Sequence, residues 1–224
     1  MSDDMGQGAV AVTRLAVATA DGLDLRAELA VPGGATPRAG VVVCHPHPLH
    51  GGSMYNNVVE ALFDGLPPLG AAVLRFNFRG TSGSEGRHDH GRGERLDVTA
   101  ALDEMAGRWP GMPLLLAGYS FGADVSLAVD HPAVAGWLAV APVLRVVDPA
   151  EMVALRDRRP VWLASAEGDQ FRPYADLVPM VADAVTTTVT PVPGADHFFM
   201  VGLDRVVAVG SEALDAIAPR PTGS

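Results

Sequence analysis

The chain has 224 residues, 48% of them apolar, so it is long enough to bury a large core and too apolar for a disordered segment. Its formal charge is −10, with 26 acidic residues against 16 basic ones, which excludes nucleic acid as a partner because phosphate contacts need clustered positive charge. Every basic residue is arginine, and the lack of lysine removes Schiff-base and P-loop chemistry.

The first residues, MSDDMGQG, are acidic and polar and lack the basic and apolar regions of a signal peptide. No apolar run reaches membrane-spanning length, and a single cysteine, Cys44, allows no internal disulfide. A cytoplasmic protein without a membrane partner is expected. Residues 1–9 and 219–224 read as flexible termini around one domain, 10–218. Within it, two strands flank Asp21-Gly22, a hairpin signal. Ala39–Cys44 is a short, continuously apolar, β-branched run, as a parallel strand covered on both faces should be. Helical spacing follows over Ser53–Leu66, then a strand at Ala71–Phe76 and a glycine-rich loop, Asn77–Gly93. Glu94–Trp109 is predicted helical, with Leu96, Ala100 and Met105 on one side. Pro113–Ala117 is a strand, Phe121–Val129 a helix, and Val134–Ala141 and Val161–Ala166 are strands. Pro173–Ala184 is a helix, Thr186–Val192 a strand and Asp204–Ile217 a final helix. Strands alternating with helices imply an α/β fold, a mostly parallel sheet with an antiparallel N-terminal hairpin and helices on both faces. Ligands bind such sheets at the carboxyl ends of the strands. The loops after Cys44, Phe76, Ala117, Ala141, Ala166 and Val192 therefore share one edge.

Gly118-Tyr119-Ser120-Phe121-Gly122 fits G-x-S-x-G between a strand and a helix, the setting of a nucleophile elbow. On that strained turn only glycine tolerates the close backbone approach on either side of the serine. Phe121 N–H, at the helix start, points to where an oxyanion would form. A serine nucleophile needs a base, and the base needs an orienting group. His197 follows the last strand and Asp169 the strand before it, giving the order Ser120, Asp169, His197. Asp148 rivals Asp169, whereas Asp196, next to His197, is a poor orienter.

The segments His45–Gly52 (HPHPLHGG), Arg75–Gly86 (RFNFRGTSGSEG), Gly118–Gly122 and Gly194–Phe199 (GADHFF) resemble the α/β-hydrolase superfamily, and within it small bacterial hydrolases related to dienelactone hydrolases. The resemblance covers the chain from Ala39 onward. It implies Ser120 as nucleophile, His197 as general base and Asp169 as its partner. Asp124 departs from the pattern, where a larger or aromatic residue is expected; facing the top of the sheet it would make the pocket more acidic.

His45, His47 and His50 also admit a metal reading, since residues i and i+2 of an extended segment face the same way. Leu49 stands where a metallo-β-lactamase-like site would need aspartate, and no lysine is present for a barrel amidohydrolase; His88 and His90 offer a second pair on a loop without fixed geometry. In an α/β hydrolase this loop donates the second oxyanion N–H. Pro46 and Pro48 have none to give, which leaves His47 N–H. The oxyanion hole is thus expected at His47 and Phe121, with His45 holding the loop and no metal or cofactor involved. His50, Arg79, Tyr119 and Asp124 are candidate substrate-binding residues. The eighteen or so residues after Ala141 leave room for one short helix at most, hence a minimal lid, and Asn77–Gly93 is the candidate mobile flank. The expected activity is cleavage of a small ester or thioester through an acyl-enzyme. Acyl transfer by the same residues, a non-catalytic binding protein on this scaffold and a metal hydrolase are the alternatives.

Overall fold

The computed structural model describes residues 8–220. One sheet contains β1 (Gly8–Ala18), β2 (Asp24–Gly33), β3 (Ala39–Cys44), β4 (Ala71–Phe76), β5 (Leu114–Tyr119), β6 (Val134–Val140), β7 (Val161–Ala166) and β8 (Thr187–Val192). Their spatial order is β1-β2-β4-β3-β5-β6-β7-β8. β1 pairs antiparallel with β2, and β2 antiparallel with β4; every other pair is parallel. This is the expected mostly parallel sheet with an antiparallel N-terminal hairpin. β1 begins at Gly8, opposite Gly33, so residues 8 and 9 belong to the sheet and not to a tail. Of the expected C-terminal tail, residues 219 and 220 are described, with Arg220 Nη2 3.0 Å from Asp215 Oδ2; 1–7 and 221–224 lie outside the described residues.

Helices α1 (Asn57–Gly65), α2 (Gly93–Arg108), α3 (Phe121–Leu127), α4 (Tyr174–Met180) and α5 (Leu203–Ile217) cover the two faces. Successive side chains of a strand point to opposite faces. Accordingly Val41 and Val43 of β3 join a cluster with Val58 and Leu62 of α1 and Val209 of α5. Val42 and Cys44 join the opposite cluster with Leu102 of α2 and Val125 of α3. All six residues of β3 are buried, as a strand covered twice requires.

Three local expectations change. α1 starts at Asn57 because Asn56 caps it, its side chain accepting from Val58 N–H. In α2 Leu96 is exposed, while the acidic Glu94 and Asp97 are wholly buried; the partners of those carboxylates, not the apolar spacing, set which side faces inward. Between β6 and β7 there are two 3-10 turns, Pro149–Glu151 and Val153–Arg156, in place of an α-helix, and no cap domain. Among the described residues no helix is long and apolar enough to cross a membrane.

Candidate active site

β5 ends at Tyr119 and α3 starts at Phe121, so Ser120 alone makes the turn, with φ 54° and ψ −114°. Its backbone is held from both sides: Ser120 N–H donates to Val140 O at 2.9 Å, and Asp124 N–H to Ser120 O at 3.1 Å. The two elbow glycines are required by close approach. A Cβ on Gly118 would lie 2.3 Å from Gly122 O, and one on Gly122 would lie 2.5 Å from Cys44 O and His45 O. β5 and β3 thereby press the serine turn against the histidine loop.

The loops after β7 and β8 bring Asp169 and His197 to this turn. Ser120 Oγ is 2.9 Å from His197 Nε2, and His197 Nδ1 is 2.7 Å from Asp169 Oδ2. Asp169 Oδ1 accepts from Phe171 N–H at 2.8 Å and Arg172 N–H at 2.9 Å, so both carboxylate oxygens are engaged. An ionised Asp169 accepts the Nδ1 proton, which leaves Nε2 bare to accept from the serine hydroxyl. The backbone of His197 is also fixed, with its N–H donating to Gln170 Oε1 at 3.2 Å and its carbonyl accepting from Tyr119 OH. Burial pushes the Tyr119 hydroxyl upward from its ordinary value, with the charges of Asp169 and Asp196 adding to it, and keeps it a donor. Asp148, the rival orienter, instead accepts from Ala150 N–H at the start of a 3-10 turn, and Asp196 accepts from Phe198 N–H.

His45 and His47 sit two residues apart in opposite surroundings. His45 is buried, its Nε2 accepting from Phe78 N–H at 3.0 Å, so its proton is on Nδ1 and points to Pro46 O at 2.6 Å. Burial pulls its pKa down to about 4, keeping it neutral, and both ring nitrogens are engaged within the protein. The His47 ring packs on Phe121, with centroids 4.9 Å apart, and on His50 and His88. Burial, then repulsion from His50 and His88, pushes His47 below the ordinary histidine range. Among the described residues neither His47 N–H nor Phe121 N–H donates to a backbone carbonyl, and both residues line the cavity above Ser120. No group of three His, Cys, Asp or Glu among the described residues is set to hold a metal ion. Cys44, directly before the histidines, is fully buried, and burial pushes its thiol pKa up, away from reactivity.

Two candidate binding residues lie elsewhere. Arg79 is buried and does not line the cavity, because its guanidinium bonds Asp97 Oδ1 at 2.7 and 2.9 Å and both oxygens of Asp21. Asp97 Oδ2 takes Arg79 N–H, and Glu94 takes the N–H groups of Asp89 and Gly91, each at 2.8 Å. His88 Nδ1 also lies 2.8 Å from Glu94 Oε1, though at a poor hydrogen-bonding angle. The glycine-rich loop 77–93 is thus braced by two buried carboxylates of α2. Asp124 is wholly buried and makes no acidic pocket: it accepts from Leu144 and Arg145 N–H at 2.9 Å and from Val146 N–H at 3.0 Å. Burial raises its pKa against the pull of those bonds.

The cavity above Ser120 has a volume of about 490 Å³. Val143, Val146, Phe171 and Phe198 give it apolar walls. Of the candidate binding residues, His50 and Tyr119 line it. Arg145 lines it too; the sequence signal for it was only its place in the loop after β6, on the edge where the other site loops emerge.

A family model described as serine aminopeptidase, S33, matches residues 35–177. An uncharacterized protein of Rickettsia prowazekii (strain Madrid E) is 33% identical over 168 residues, covering 70% of this chain and 71% of the relative. An alpha-beta serine hydrolase homologue from Coxiella burnetii superposes with a TM-score of 0.80 at 31% identity, over 90% of this chain and 97% of its own. A serine hydrolase without a lid from Xanthomonas campestris gives 0.82 at 27% identity, over 97% of this chain and all, 100%, of its own.

Proposed function

The chain belongs to the serine aminopeptidase S33 family of α/β hydrolases, and within it we propose a serine hydrolase of small carboxylic esters or thioesters. The observation that carries this reading is the unbroken hydrogen-bonded chain Ser120–His197–Asp169 at the floor of an apolar cavity. In the proposed reaction Ser120 Oγ attacks the carbonyl carbon while His197 Nε2 takes the hydroxyl proton. The imidazolium so formed is stabilised by Asp169. The oxyanion is received by His47 and Phe121 N–H, the second of these at the start of α3. His197 then gives its proton to the leaving oxygen or sulfur, and the acyl group stays on Ser120. A water molecule, deprotonated by His197, releases the acid. The cavity opens between loops without a cap domain, which favours water over a sequestered acceptor as the second nucleophile.

An aminopeptidase holds the substrate's ammonium against a carboxylate. Among the described residues lining this cavity there is no aspartate or glutamate, and the charged side chain present is an arginine. That chemistry favours esters over peptides with a free amino terminus. Ser120→Ala is expected to lower kcat/KM for 4-nitrophenyl butyrate by about four orders of magnitude or more, with circular dichroism unchanged. Labelling of the wild type by a fluorophosphonate, lost in the variant, is the companion measurement. Turnover retained in Ser120→Ala would overturn the assignment.

A further inference from the structure

Among the described residues two arginines stand at the site with no carboxylate to hold them, Arg145 and Arg172, and of the two Arg145 lines the cavity. Arg75, Arg79 and Arg159 are each ion-paired, whereas among the described residues Arg145 is in no ion pair. Its Nη2 donates to Phe171 O at 2.6 Å, and a guanidinium has five N–H groups to offer. In return Arg172 Nε and Nη2 donate to Val143 O at 3.1 Å, so the loops after β6 and β7 are laced together across the cavity. The backbone beneath Arg145 is fixed as well. Ala141 and Leu144 take left-handed φ values of 43° and 52°, and Asp124 holds three successive N–H groups from Leu144 to Val146. A chain bearing a charge of −10 keeps this cation unneutralised and exposed on the cavity lining, where an anion can reach it from solvent.

We propose that Arg145 is a specificity-determining residue, and that the substrate is an ester or thioester carrying an anionic oxygen group, a carboxylate or a phosphoryl group, at the end remote from the scissile bond. The fork of the guanidinium matches both groups, and its contact to Phe171 O presets its position. The inference rests on Ser120 as the nucleophile, but its test does not need turnover. Titration calorimetry on Ser120→Ala compares the monomethyl esters of succinic, glutaric and adipic acids with their dimethyl esters. The best-fitting monoester is expected to bind about tenfold tighter than its dimethyl counterpart. In Ser120→Ala/Arg145→Met that preference disappears. Methyl 3-phosphonopropanoate, titrated in parallel, tells a phosphoryl group from a carboxylate, since either can be the anion. A preference absent from all three pairs and from the phosphonate, or one that survives Arg145→Met, overturns the proposal. A chain that shows the Arg145-dependent preference yet no Ser120-dependent hydrolysis overturns the catalytic reading and the substrate claim built on it, while the anion contact itself is upheld.

Discussion

The loop after β4 and the loop after β6 reach the same edge of the sheet, and each rests on buried carboxylates from a helix: α2, which the first loop leads into, and α3, which follows β5 beside β6. In loop 77–93 Asp97 and Glu94 of α2 take backbone N–H groups; in loop 141–147 Asp124 of α3 does so. Their arginines differ. Arg79 folds inward onto Asp97 and Asp21, while Arg145 lies over the cavity with one carbonyl contact and no carboxylate. Glycine content and Arg79 made the first loop look like the functional flank. The second, shorter and more apolar, forms the cavity wall. The difference teaches that an arginine's role follows from whether a buried acid lies beneath it, which composition does not reveal.

Arg79→Met tests the contrast most severely. It leaves the Asp97 carboxylate buried and unpaired, and the expected cost is about 3–5 kcal/mol in urea denaturation. A loss no larger than that in Arg145→Met would erase the distinction between the two loops.

His45 supports the first loop through Phe78 N–H and should make it acid-sensitive. Its folded pKa of about 4 lies below the ordinary histidine value of 6.5, so the unfolded chain takes up the proton first as pH falls. The stability linked to this group is complete above about pH 6.5 and declines by about 3 kcal/mol towards pH 4. The gap in unfolding free energy between wild type and His45→Asn, followed from pH 7 to pH 4, should shrink by that amount; a constant gap would refute the buried, neutral assignment.

Asp124→Asn should have the smallest stability effect, about 1–3 kcal/mol, because an amide cannot accept from all three N–H groups. Its clearer signature is kinetic. With the wall loosened, KM for a short-chain 4-nitrophenyl ester should rise several-fold while kcat changes less. Equal falls in kcat and kcat/KM would instead mean that Asp124 acts on the nucleophile turn itself.

Much of this architecture was legible in the chain. The boundaries of β3, β4 and β7 follow from apolar runs interrupted only by Arg75 and Ser165, since a strand covered on both faces displays almost no polar side. That Ser120, Asp169 and His197 come together could be expected because each lies in a loop or turn that follows a strand on the same edge. Arg79 and Asp124 were misplaced for one shared reason. Their partners lie far along the chain or in another loop: Asp21 is 58 residues from Arg79, and Leu144 is 20 residues from Asp124. Periodicity carries no information about such pairings. α2 shows the same limit, since Leu96 faces solvent so that Asp97 can face Arg79.

Tyr119 stands at the position that G-x-S-x-G leaves open to any residue. Its hydroxyl nevertheless holds the carbonyl of His197, 78 residues away, so the strand that ends before Ser120 and the loop that carries His197 share one fastener. A relative that loses this hydroxyl still satisfies the motif and still carries serine, aspartate and histidine, yet its histidine loop is no longer tied to its serine turn. A search by signature would pass such a chain as intact. Sorting active from crippled members of this family calls for reading the wildcard as well as the letters.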